Sequence, residues 1–249
     1  MLADERQALI AQDLADMGQV SSGALAARFA VSEDTIRRDL RALAAQGICR
    51  RIYGGATAPY AGPHDRRAHH LSGEKARLAR AAITLLQSDD IILLDSGSTN
   101  LALAQAIPLN MRLTVVTNNL AIAHCLSPRP SIRLIVLGGT YDRELGAMLG
   151  PAAALEVQRL RINRFFLGSC GVDAQVGVTA FSETEAELKA QMISASSEVC
   201  VMATQDKLQT LAPFHVASTT QIHHLVVSAV TPKDVEGAFV EAGVRVHIA

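Results

Sequence analysis

VSEDTIRRDL, Val31–Leu40, combines a helix start, a buried stripe and a guanidinium-bearing face within ten residues. Ser32 can cap the helix through its hydroxyl, and Glu33 and Asp34 fall in the first turn, against the positive end of the helix dipole. Ile36, Leu40 and Leu43 share one face by the i, i+4, i+7 rule. Asp34, Arg38, Arg41 and Ala45 share the opposite face, with Arg37 on the flank. Just upstream, Leu25 and Phe29 mark a shorter helix for the apolar face to pack on. Two helices joined by a tight turn, the second exposing Thr35 and Arg38, form a helix-turn-helix whose second helix suits a DNA major groove. The plain alternative is a solvated arginine-bearing helix in a small helical domain.

The following residues favour the DNA reading. Gly47 can end the helix in a left-handed turn, and ICRRIYGGA then brings a β-prone stretch with Arg50 and Arg51 to a turn at Gly54-Gly55. This is the pattern of a wing, a hairpin whose arginines reach phosphates or a minor groove. From residue 28 to 51 six arginines (28, 37, 38, 41, 50, 51) face Glu33, Asp34 and Asp39, a local charge of +3 in a chain whose net charge is −1. Within this surface Ser32, Thr35, Arg37, Arg38, Arg41, Arg50 and Arg51 are the candidate DNA contacts. Phosphates are expected at Arg37, Arg50 and Arg51, and base edges at Thr35 or Arg38.

Residues 58–73 break the pattern. APYAGPHDRRAHHLSG loses hydrophobic periodicity and carries Pro59, Gly62, Pro63 and Gly73, so it reads as a linker between a DNA-binding unit at 1–57 and a second unit at 74–249. Beyond it a helix is expected from about Glu74 to Gln87. Apolar strands then alternate with helices: IILLD, LTVVT, IRLIV, RFFLG, EVCVMAT and HHLVVS. Continuous apolar strands flanked by helices imply a mostly parallel α/β sheet covered on both faces. No internal repeat or low-complexity tract interrupts it.

Composition fits a two-domain cytoplasmic protein. Of 249 residues 49% are hydrophobic, enough for a sizeable core. No run approaches the roughly 18 apolar residues of a membrane span, and MLADER is not a signal peptide. Cys49, Cys125, Cys170 and Cys200 are scattered, which favours reduced thiols over disulfides or zinc. His69-His70 and His223-His224 are adjacent and so point apart; no metal or cofactor is expected.

In a parallel sheet the ligand lies beyond the carboxyl ends of the strands. DSGSTN, Asp95–Asn100, follows IILL and opens a helix. Gly97 lets backbone approach a ligand, Ser98, Thr99 and the free N–H groups of the helix start can hold an anion such as phosphate, and the Asp95 carboxylate suits sugar hydroxyls. An ordinary capped turn is the simpler alternative. The pattern repeats at TNN (Thr117–Asn119), at Gly138-Gly139 and at GSCGVD (Gly168–Asp173). To these the chain adds Thr179 in a GVT turn, Glu185 with Lys189, and Lys207. Glu185 and Lys189 are also spaced as a plain surface ion pair worth about 0.3–0.5 kcal/mol.

Taken together, Arg6 with Ile10, LAARFAVSEDTIRRDL at Leu25–Leu40 and RRIYGGA at Arg50–Ala56 resemble the DeoR family of bacterial transcription regulators, with Tyr53 where many members have His. The later pieces, DSGST, TNN, LGG, GVD, GVT, E-x-x-x-K and D-K-L, resemble that family's C-terminal sensor domain, itself similar to ribose-5-phosphate isomerase. Thr204 departs from the Asp usual there. The resemblance implies that Ser96, Gly97, Ser98, Thr99, Thr117, Asn118, Gly138, Gly139, Lys189 and Lys207 line a phosphosugar pocket, to which Asp95 and Asp173 are added. The expected function is a ligand-responsive regulator, most simply a repressor of a sugar or polyol catabolic operon. It would act as a homodimer or homotetramer on double-stranded operator DNA, with a phosphorylated sugar or polyol as effector. The alternative is a sugar-phosphate isomerase, which needs a base and a second acid; GVDAQVG offers Asp173 alone.

Overall fold

The computed structural model describes residues 2–17, 19–52, 54–57 and 72–249. Most of the expected linker, residues 58–71, lies outside the described residues. So do Tyr53 and the side chain of Arg50.

The first unit consists of α1 (Ala3–Met17), β1 (Gln19–Ser21), α2 (Ser22–Phe29), α3 (Glu33–Ala45), β2 (Arg50–Ile52) and β3 (Gly55–Thr57). Ser32 caps α3 by accepting from Thr35 N at 3.3 Å. Ile36, Leu40 and Leu43 pack with Ile10, Leu14, Val20 and Leu25 into one small core. The wing exists as an antiparallel pair of β2 and β3, joined on its far side by β1. Its turn is displaced by one residue from the expectation, because Gly55 already pairs as the first residue of β3.

The second unit begins with α4 (Ser72–Ile83), two residues earlier and four earlier at its end than the periodicity suggests; Ser72 and Gly73 are therefore helical. A seven-stranded sheet follows, built from β4 (Ile91–Leu94), β5 (Leu113–Thr117), β6 (Ile132–Val136), β9 (Ile162–Leu167), β12 (Ser196–Met202), β14 (His224–Val227) and β15 (Arg245–Ile248) in the order β15-β14-β12-β9-β4-β5-β6. All six pairings are parallel. The helices α4, α5 (Ser98–Ala106) and α6 (Leu120–Leu126) cover one face; α7 (Pro151–Val157), α8 (Glu183–Ser194) and α9 (Lys233–Glu241) cover the other. Burial on both faces explains the unbroken apolar strands: Ile92 and Leu94 enter one core, and Leu93 between them enters the other.

Two small antiparallel additions were not expected: the hairpin β7 (Thr140–Asp142) with β8 (Ala147–Leu149), and the sheet β10 (Gly171–Asp173), β11 (Gly177–Ala180), β13 (Phe214–Ala217). Thr179 lies inside β11 instead of in a turn. There its hydroxyl accepts from Ala212 N at 2.8 Å. From β4 the chain winds outward through β5 and β6, then returns to β9 on the other side and proceeds to β12. The strand order thus reverses between β4 and β9, the place where such sheets open a ligand crevice.

Candidate functional site

Two surfaces carry chemistry. On α3, Arg38 and Arg41 are exposed and have no side-chain partner among the described residues. Arg37 is exposed too, but its guanidinium bonds Glu33 at 3.1 Å and Asp34 at 3.2 Å on its own helix. The Thr35 hydroxyl lies 3.0 Å from that of Ser32. Arg51 is exposed on the wing and Arg50 shares its strand. Arg28 is tied to Asp13 and stacks on Phe29 with its guanidinium carbon 5.1 Å from the ring centre, so it adds less to the positive face than a free arginine. Asp39, counted in the sequence as one of the surface acids, is buried: Arg6 grips it with Nε at 2.6 Å and Nη2 at 3.2 Å, and Gln7 adds a third bond at 3.0 Å.

The second surface is a cleft at the β4/β9 reversal. Ser96, Gly97, Ser98 and Thr99 line it, as do Lys189 and Lys207. Gly97 adopts φ +135°, a conformation that an L side chain rarely takes, and no side chain caps α5 behind it. The first N–H groups of α5 therefore meet the cleft without a built-in acceptor, the arrangement that favours an anion. From β9 the Gly168 loop closes in: a methyl group at Gly168 would stand 2.4 Å from Ser96 O and 2.8 Å from Asp95 Oδ2, so only glycine permits the approach.

Beneath this wall lies a buried charge cluster. Lys189 Nζ donates to Gly168 O at 2.6 Å and sits 2.7 Å from Glu185 Oε1 and 3.1 Å from Asp95 Oδ2. The surface ion pair considered for Glu185 and Lys189 is therefore corrected: the two are 4% and 2% exposed. Burial opposes the Lys189 charge, yet Asp95 and Glu185 outweigh it and hold the ammonium more firmly protonated than usual. Burial likewise pushes the Asp95 carboxyl above its ordinary range, more than Lys189 pulls it down.

Six expected pocket residues are not brought to the cleft. Asp95 spends its oxygens on Ser96 N at 2.7 Å, Gly168 N at 2.9 Å and Lys189, so it braces the wall. Thr117 donates to Leu94 O at 2.7 Å and accepts from Asn119 N, which ties β5 to β4. Asn118 donates to Met148 O at 3.4 Å, and Gly138 N to Glu156 at 2.7 Å. Gly139 packs against Leu149 at the base of β7. Asp173 accepts from Gln175 N and Val176 N at 2.8 and 3.0 Å and so closes the β10–β11 turn.

Gly168 and Glu185, which the sequence singled out without assigning them to the pocket, line the cleft too, and so do Asn100, Leu145, Leu167, Ser169, Cys170 and Met202, which it did not name individually. Asn100 stood within DSGSTN, and Ser169 and Cys170 within the strand-end motif GSCGVD, so a signal existed for them. Leu145 and Met202 carried none. Cys200, by contrast, is a core thiol whose burial pushes it up to about 12.

Among the described residues no helix is long and apolar enough to cross a membrane, and no cluster of His, Cys, Asp and Glu is arranged for a metal. Comparison with known proteins bears on both surfaces. The chain is 30% identical to a putative aga operon transcriptional repressor of Escherichia coli O157:H7, over 97% of this chain and 92% of that one. It is 31% identical to the glycerol-3-phosphate regulon repressor of Escherichia coli K12, over 88% of each. Among solved structures, ribose 5 phosphate isomerase A from Neisseria gonorrhoeae aligns at 15% identity and TM-score 0.41, over 55% of this chain and 53% of that one, a likeness too loose to bear on function. The model of the DeoR-like helix-turn-helix domain matches residues 6–60 and that of the DeoR C terminal sensor domain residues 71–229, and with these two matches the chain belongs to the DeoR family of DNA-binding transcriptional regulators.

Proposed function

We propose that this regulator is a cytoplasmic repressor of a sugar or polyol catabolic operon, and that a phosphorylated sugar or polyol held in the β4/β9 cleft sets its grip on double-stranded operator DNA. The observation that carries the reading is the cleft itself. It joins an uncapped helix start, whose N–H groups suit a phosphate, to the side chains of Thr99, Ser169 and Lys207 in one chain with an arginine-bearing recognition helix. Named relatives support the sugar context, including one called L-fucose operon activator in Haemophilus influenzae, 29% identical over 93% of this chain. Ser32, Thr35, Arg38 and Arg41 are the α3 contacts we assign to DNA, with Arg37, Arg50 and Arg51 on phosphates. One such helix spans only a few base pairs, so a homodimer or homotetramer on repeated half-sites is part of the proposal.

The isomerase reading is weaker, because the one acid of GVDAQVG holds a hairpin turn outside the cleft. The test is DNA affinity of the full chain for its own promoter region, with and without phosphorylated sugars and polyols. A response of about 5- to 150-fold is expected for one of them. No response to any, or sustained turnover of ribose 5-phosphate that Asp173→Asn abolishes, would overturn the proposal.

A further inference from the structure

Three oxygens in the cleft are buried without a hydrogen-bond partner: Thr99 Oγ1, Ser169 Oγ and Glu185 Oε2. Their residues are 6%, 7% and 4% exposed. Buried polar atoms in folded proteins are almost always paired, and leaving one unpaired is costly, most of all on a carboxylate. Three of them around one cleft mark positions that a ligand completes.

The charges say which part of the ligand goes where. The Lys189 ammonium donates to Gly168 O and lies within ion-pair distance of Glu185 Oε1 and Asp95 Oδ2, so three oxygens of the protein already surround its three N–H groups. Its charge is already answered by these carboxyl groups rather than turned to a phosphate. Two carboxyl groups crowd this one ammonium, so the wall offers an anion no cation of its own. The start of α5 and Lys207 form the attractive wall.

We propose that Glu185 is the specificity-determining residue of the cleft: Oε2 accepts a hydrogen bond from a hydroxyl of the effector, with Ser169 Oγ beside it. The phosphate turns to the first N–H groups of α5 and the Thr99 hydroxyl. The fitting ligand class is a phosphate monoester of a polyhydroxylated chain. Inorganic phosphate is excluded as the full ligand, and phosphorylated acids are rejected because their carboxylate would face Glu185. Lys189 is a positioning residue that aims Glu185. The inference rests on the reading of this cleft as the effector site.

The test is calorimetric binding to the full chain of glycerol 3-phosphate, ribose 5-phosphate and glucose 6-phosphate, with inorganic phosphate as the hydroxyl-free probe and 3-phosphoglycerate as the acidic one. In the wild type one hydroxylated ester should bind at least about tenfold tighter than inorganic phosphate, and 3-phosphoglycerate should not. Glu185→Gln should shrink that preference about tenfold, in keeping with the loss of a hydrogen bond to a charged group. Ser169→Ala leaves the Lys189 cluster intact, should shrink it by a smaller factor, and decides the matter if Glu185→Gln does not fold. An ester preference untouched in both variants overturns this inference alone. A wild type that binds none of the probes overturns the effector-site reading and this inference with it.

Discussion

The recognition surface turns on which arginines are free to leave their own helix. Arg38 is exposed and unengaged on α3, while Arg37 is held by Glu33 and Asp34. A guanidinium that reads a guanine edge in two places contributes about 1–3 kcal/mol of discrimination, whereas one on a phosphate contributes alike on every sequence. Arg38→Ala is therefore expected to weaken operator binding by about that amount and to relax preference at one base pair. Arg51→Ala on the wing should weaken operator and scrambled DNA equally and flatten the salt dependence. Binding isotherms on both DNAs at several salt concentrations separate the two, and equal losses on both DNAs for Arg38→Ala would remove the base-reading role. A polar residue after a strand is likewise not by itself a ligand contact. Thr117 and Asn118 look like ligand contacts in a sequence because they are polar and follow a strand. In the fold Thr117 bonds Leu94 O, which the β4–β5 register brings near, and Asn118 bonds Met148 O next to the isolated antiparallel bridge between Asn119 and Ala147.

At the scale of elements, α3 is locked to α1 by Arg6 and Asp39, a bidentate pair with both side chains buried. Removing one partner of such a pair strands the other charge, which costs about 3 kcal/mol, while replacing both by apolar groups is often neutral. Asp39→Ala should lower the opening free energy of the α3 amides in hydrogen exchange by about that amount, and Arg6→Met with Asp39→Leu should recover most of it. A loss under about 0.5 kcal/mol in the single variant would show that the pair does not hold the helices together. Sequence periodicity exposed α3, its cap and the core strands, because each repeats a spacing over a full turn or several residues. It missed β7, β8, β10, β11 and β13, since three or four residues carry no period, and β11 is buried at every position. It also left the setting of Glu185 and Lys189 open. Spacing of i, i+4 puts two side chains on one helix face, but whether that face meets water or the Asp95 carboxylate depends on a strand some ninety positions away.

For the whole molecule the question is how a ligand in the cleft reaches DNA, because an effector shifts an equilibrium only through a difference in how it binds two states. Helix α4 is the first described element after residues 58–71, and two parts of the cleft bear on it. It packs along α5, whose first turn forms the anion-favouring wall. Its Glu74 carboxylate also accepts from Gln205 N at 3.1 Å, in the short turn Gln205–Lys207 that carries Lys207 to the cleft. Burial raises the Glu74 carboxyl above its ordinary range, the bond from Gln205 opposes the rise and Asp206 adds to it, so a shift of the Lys207 turn would change the setting of this contact. Glu74→Ala removes the link without touching the cleft lining or α3. DNA affinity without ligand should stay within about twofold, whereas the ligand response should collapse from the 5- to 150-fold range typical of coupled sites to a few-fold. Since coupling is reciprocal, the loss must appear equally when DNA is the variable: operator DNA should cease to change the calorimetric affinity for the effector. A variant that binds ligand and DNA normally and keeps the full response would assign the signal to the α4–α5 packing alone.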